Sequence, residues 1–100
     1  MKLTGKCKED FDKWYPNWFF VFLRKKEITT FYQQPILMQY GEYIEFFNTL
    51  KYEGKPLFDH VFSLMYEIKI ESETHNDLVR ISIKKANEIY NVINEIYNLK

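Results

Sequence analysis

Aromatic side chains make up 19% of this chain of 100 residues, and no other feature constrains its fold as strongly. A chain of this length is too short for two self-sufficient cores, so residues 1–100 are expected to form one domain. Each buried aromatic removes roughly 150 to 250 Å² from water, so Phe and Tyr should dominate the core. The core is too small for all of these rings, and we expect some of them at a surface that meets a partner or a second copy.

Charge and cysteine content exclude several classes of protein. Lys plus Arg equals Asp plus Glu, 14 against 14, so no net field attracts nucleic acid or an anionic membrane. The single cysteine, Cys7, cannot form an intramolecular disulfide, which favours a reducing compartment. Residues 1–15 lack the apolar core of a secretory signal, and the longest apolar run, residues 18–23, is too short to cross a bilayer. These features predict a cytoplasmic protein that does not enter a membrane.

The N-terminal region predicts an amphipathic helix that Thr4 can cap. Its apolar residues recur at spacings of three and four: Cys7, Phe11, Trp14, Tyr15 and Trp18. Pro16 is expected to stop or kink this helix, because proline cannot donate the backbone hydrogen bond. The apolar run of residues 18–23 fits a buried strand or a buried helix, with helical continuation past a kink slightly favoured.

A second, central helix is expected to begin at Pro35 and to end at Gly54 and Pro56. The apolar residues at helical spacing in this range are Ile36, Leu37, Tyr40, Tyr43, Ile44, Phe47 and Leu50. Before it, residues 27–34 have β propensity without clean alternation. They are expected to be irregular or to form a short edge strand.

The range from Phe62 to Ile70 shows an apolar residue at every second position, which is typical of a strand. A lone strand is not stable, so it needs a partner. Residues 18–23, residues 28–32, the segment just before Phe62 and a second molecule all remain candidates for that partner.

A long C-terminal helix is predicted after a cap at Asn76 or Asp77. Its apolar seam consists of Val79, Ser82, Ala86, Ile89, Ile93 and Ile96. The pentapeptide Asn-Glu-Ile-Tyr-Asn occurs at 87–91 and again at 94–98, which places asparagines together on another face. Ordinary core packing is favoured over self-association. If this helix does form an interface between copies, the residues expected to form it are Ile89, Tyr90, Ile93, Ile96 and Tyr97.

Together these patterns predict an α+β fold in which three helices, N-terminal, central and long C-terminal, pack with a small antiparallel β element. No catalytic, metal or cofactor site is expected. Cys7, His60 and His75 lack the close spacing of metal ligands and show no arrangement of nucleophile and base. The glycines stand alone, so no phosphate-binding loop is predicted.

Basic residues that follow aromatic ones form the most defensible candidate site. Arg24, Lys25 and Lys26 come directly after the apolar run that contains Trp18 and Phe20. Cations beside stacking rings are typical of proteins that bind single strands or nucleotides, so these five residues are the candidate ligand-binding set. The alternative, which is favoured, is a helix C-terminus with a solubilising basic flank.

Residues 1–11, 38–43 and 83–91 together resemble small uncharacterised open reading frames carried by phages and mobile elements of anaerobic gut bacteria. The resemblance carries no assigned activity and no catalytic residues. It implies a viral or mobile-element accessory protein in the host cytoplasm that binds host or phage components.

The leading functional hypothesis is therefore a protein that binds a protein partner or itself and has no enzymatic activity. A module that binds nucleic acid or nucleotides is a less favoured alternative, and a minor virion component is a third. An enzyme comes last.

Overall fold

The computed structural model describes residues 6–26, 28–29, 35–36 and 38–98. Within these residues the chain is mostly helical, with four α-helices and two small antiparallel sheets of two strands each. The elements are α1 (Lys6–Lys25), β1 (Ile28–Thr29), β2 (Pro35–Ile36), α2 (Tyr40–Thr49), β3 (Lys51–Tyr52), β4 (Lys55–Pro56), α3 (Leu57–Glu71) and α4 (His75–Asn98). The α+β prediction is confirmed in this coarse form, but the prediction of three helices is wrong.

Helix α1 runs through Pro16 without ending there. Residues 18–23 are therefore helical, as favoured, and they do not form a strand. An interior proline costs a helix about 3 kcal/mol, whereas burying one large apolar side chain contributes roughly 1.5 to 3 kcal/mol. Phe19, Phe20 and Leu23 are buried on the turns that follow Pro16, which is enough to offset that cost. The predicted cap, Thr4, lies outside the described residues.

The central helix begins later than predicted. Pro35 does not start a helix but lies in β2, where it pairs with Thr29 while Ile36 pairs with Ile28. The fixed φ of proline suits a helix start and an edge strand equally, so the local signal could not separate the two. Gln39 is extended, and α2 follows it. The expected edge strand is present at residues 28–29, while residues 27 and 30–34 lie outside the described residues.

Gly54 and Pro56, predicted to end the central helix, instead belong to a hairpin between α2 and α3. Lys51 pairs with Pro56, and Tyr52 pairs with Lys55. The two residues of the turn both have positive φ, 53° at Glu53 and 81° at Gly54, as a type I′ hairpin turn requires. The base of the hairpin is closed by the Leu57 N–H, which donates to the Leu50 carbonyl at 2.8 Å.

The predicted strand at residues 62–70 is wrong, because these residues lie in α3. The alternation arises from two rows on opposite sides of one helix. The first row is buried and consists of Leu57, Val61, Leu64 and Ile68. The second row is exposed and consists of Phe62, Tyr66 and Ile70. Since each row repeats at helical spacing, their interleaving places an apolar residue at every second position from Phe62 onward.

Helix α4 begins at His75, so the cap is Thr74 and not the predicted Asn76 or Asp77. Thr74 Oγ1 accepts the backbone N–H of Asp77 at 3.1 Å. In return, the Asp77 carboxylate accepts the backbone N–H of Glu73 at 3.4 Å. The Thr74 hydroxyl thus satisfies a donor that the first turn of the helix leaves free, and the Asp77 carboxylate holds the residue before the cap.

The helices pack around one cluster of buried side chains. Helix α1 runs parallel to α4, since Trp18 contacts His75 and Lys26 contacts Tyr90 further along. Helix α3 returns antiparallel to α4 and is linked to it by an ion pair between Glu67 and Lys85. The buried helical residues of the cluster are Phe19, Phe20, Leu23, Tyr43, Phe47, Leu57, Val61, Leu64, Ile68, Leu78, Ile81, Ala86, Ile89, Val92 and Ile93.

Candidate functional site

The outward side of α3 carries three large apolar side chains in a line. Phe62 is 60% exposed, Tyr66 is 59% exposed and Ile70 is 62% exposed. They lie four residues apart, opposite the buried Leu64 and Ile68, and we call these three residues the α3 row. Together they present roughly 300 to 400 Å² of side-chain surface to solvent. That area is in the range of the largest apolar patch on a typical monomer, which is often functional.

Two half-buried residues extend the α3 row on one side. The ring of Phe58 packs against that of Phe62, with 6.2 Å between centroids. Met65 packs against the core from the same helix. The other large exposed apolar residues among those described are Trp14, Tyr40 and Ile83, which belong to other helices. The α3 row is therefore a continuous apolar strip, whereas single exposed apolar residues are ordinary.

Polar residues beside the α3 row are exposed. Asp59 and Ser63 lie on the N-terminal half of the helix, and the Ser63 hydroxyl donates to the Asp59 carbonyl at 3.2 Å. Lys69 lies on the C-terminal half, with its Nζ 5.9 Å from the ring centroid of Tyr15 on α1. Glu71, at the C-terminal end, is exposed as well, so charges of both signs lie beside the apolar residues.

The position of α3 is set by its buried row and by an ion pair with α4. Lys85 is almost fully buried, and its Nζ lies 2.7 Å from a carboxylate oxygen of Glu67. Burial alone would lower the pKa of Lys85. The hydrogen bond and charge of Glu67, with the charges of Glu88 and Glu71, outweigh burial and leave that pKa raised. The lysine therefore stays charged, and it ties the two helices together.

The predicted basic cluster is exposed, but the rings beside it already have contacts. Lys25 Nζ lies 5.2 Å from the ring centroid of Phe22, and Lys26 Nζ lies 5.0 Å from that of Tyr90. Trp18 stacks against Phe22 at 5.9 Å and meets the edge of another ring, His75, at 5.6 Å. These cation–π and stacking contacts occupy ring faces on which a base would have to stack.

Phe20, also in the predicted ligand-binding set, points into the core and is only 3% exposed. Its ring contacts Tyr40 and Tyr43, at 4.6 and 5.4 Å between centroids. Burial raises the pKa of Tyr43 to about 12, against the opposing effect of the nearby Arg24 charge. Arg24, Lys25 and Lys26 are therefore exposed at the end of α1, whereas Phe20 is buried and cannot offer its ring to a ligand.

The predicted interface on the C-terminal helix is divided in the same way. Ile89 and Ile93 are almost fully buried in the core, which is the ordinary packing favoured from the sequence. Tyr90, Ile96 and Tyr97 pack against the core and are half-buried. A second copy could reach only these last three without opening the core.

Candidate metal ligands do not converge in the part of the chain that the structure describes. No set of three His, Cys, Asp or Glu residues there could hold a metal ion. His60 packs against Tyr52 and His75 packs against Trp18, so each imidazole lies beside a different ring. None of the helices formed by the described residues is long and apolar enough to span a membrane.

The α3 row was missed from the sequence because its residues were assigned to a strand. A signal was nevertheless present. A helix with one buried side needs apolar residues only at spacings of three and four, and Leu57, Val61, Leu64 and Ile68 already supply them. Phe62, Tyr66 and Ile70 are additional apolar residues that form a second row of their own.

Comparison with known proteins adds no relative. No protein-family model, no curated protein and no solved structure matches this chain.

Proposed function

We propose that this protein acts by binding another protein through the α3 row and does not catalyse a reaction. The observation that carries the proposal is the alignment of Phe62, Tyr66 and Ile70 on the outward side of a helix whose other side is buried. These side chains point away from the core, so the fold does not need them to be apolar. Contact with a partner accounts for their character.

The arrangement of the α3 row favours a partner that offers an apolar groove or the apolar face of another helix. Apolar anchors at positions i, i+4 and i+8 are the arrangement by which an amphipathic helix packs into an apolar groove or against another helix. Aromatic anchors such as Phe62 and Tyr66 supply large contact areas with few rotatable bonds. Helix α3 is also held in place by Ile68 in the core and by the Glu67–Lys85 pair. Little ordering of the helix is then required on binding.

The resemblance to reading frames of phages and mobile elements supports an accessory role in the cytoplasm of a host cell. In that setting the protein would bind a protein of the host or of the element. The single cysteine agrees with a reducing compartment.

Site-specific photocross-linking in living cells tests the proposal. A photoreactive phenylalanine analogue is placed at Phe62, and in a control chain at Ile83, an exposed residue of α4. We expect a discrete cross-linked protein from position 62 and none from position 83. Adding Tyr66→Ser and Ile70→Ser should remove the adduct at position 62. Equal cross-linking at both positions, or no adduct at position 62, would overturn the proposal.

Nucleic-acid binding is a second candidate, favoured by the three adjacent exposed cations Arg24, Lys25 and Lys26. Its test is fluorescence anisotropy with a labelled single-stranded oligonucleotide over a range of salt concentrations. This candidate expects affinity that falls with salt, and a smaller salt slope when all three cations are replaced by Ala. An affinity that changes neither with salt concentration nor with the substitution would exclude nucleic-acid binding through these cations.

A further inference from the structure

We draw no further inference here: the strongest candidate, the α3 row on the outward side of helix α3, belongs to the surface already proposed to bind a protein, charges of both signs lie beside it, and nothing in the structure shows what covers it.

Discussion

Helices α3 and α4 lie side by side and bury similar apolar faces. The faces that they present to solvent differ in chemical character. Both fill the core with aliphatic residues, Ile68 on α3 and Ile93 on α4. The outward face of α4 carries polar residues such as Lys84 and Asn91, with Ile83 as a single large apolar exception. The outward face of α3 carries the α3 row. The same fold therefore holds one ordinary amphipathic helix and one that is apolar on two sides.

The difference between α3 and α4 shows which apolar residues the fold requires and which it does not. A helix at a protein surface needs a single apolar stripe, and α4 shows that this stripe suffices here. A second stripe on α3 is typical of a helix that is covered on both sides. The core covers one side, and the proposed partner covers the other.

The largest effect should come from the inward faces, where the two helices are alike. Ile68→Ala and Ile93→Ala should each lower the free energy of unfolding by about 2 to 5 kcal/mol, because each leaves a cavity in the core. Urea denaturation measures both. A cost below about 1 kcal/mol for Ile68→Ala alone would break the comparison, since α3 would then not be anchored by that face.

The next largest effect should come from the ion pair between the two helices. Glu67→Gln should cost about 1 to 3 kcal/mol, because it leaves the buried ammonium of Lys85 without its nearest carboxylate. The raised pKa of Lys85 adds a pH dependence. Its contribution to stability is complete below the unfolded pKa of about 10.4 and is lost as pH rises through the folded pKa.

The control for this pair is Glu88→Gln, which removes a more distant carboxylate, 3.9 Å from the Lys85 Nζ. It should cost less than Glu67→Gln. The stability difference between wild type and Glu67→Gln should be constant from about pH 7 to about pH 10 and shrink above it. A stability difference that grows above that pH would contradict the raised pKa of Lys85.

A smaller effect, an increase in stability, is expected when a buried serine of α4 is replaced. Ser82 is fully buried, and its hydroxyl has no hydrogen-bond partner in the part of the chain described. Ser82→Ala should stabilise the protein by about 1 kcal/mol, through relief of desolvation and better helix propensity. Ser63→Ala on the outward side of α3 is the matched control and should gain at most about 0.5 kcal/mol. Thermal unfolding of both variants decides whether the buried hydroxyl is a cost.

The smallest effect on stability should come from the outward faces, where the helices differ most. Tyr66→Ser on α3 and Asn91→Ser on α4 should each change the free energy of unfolding by less than about 0.5 kcal/mol. The two variants should separate in another measurement, the fluorescence of a dye that binds apolar surface. Only Tyr66→Ser should reduce it, and equal reduction by Asn91→Ser would remove the distinction between the faces.

Local sequence signals were enough for the elements with a single pattern. The spacing of Ala86, Ile89 and Ile93 correctly predicted a long C-terminal helix, because a helix with one buried face has one period. The helical continuation beyond Pro16 was only slightly favoured, because six consecutive apolar residues also fit a buried strand. Phe20 belonged to that apolar run, but its burial removed it from the candidate ligand set, because neighbours on α2 cover its ring.

Local signals failed where two patterns overlap or where a residue suits two structures. Pro35 fits a helix start or an edge strand, and only its pairing with Thr29 decided between them. Residues 62–70 fit a strand by alternation, whereas the structure shows two helical rows on opposite sides of α3.

The sequence by itself determined that the chain is rich in aromatic residues, electrically neutral and amphipathic in its N- and C-terminal helices, because these properties depend on composition and on neighbours a few residues away. Only the tertiary structure decided which apolar rings are buried. Burial depends on contacts between residues distant in the chain, such as Glu67 with Lys85 and Trp18 with His75. The packing of α3 against the other helices turns one of its sides toward the core and leaves Phe62, Tyr66 and Ile70 facing solvent.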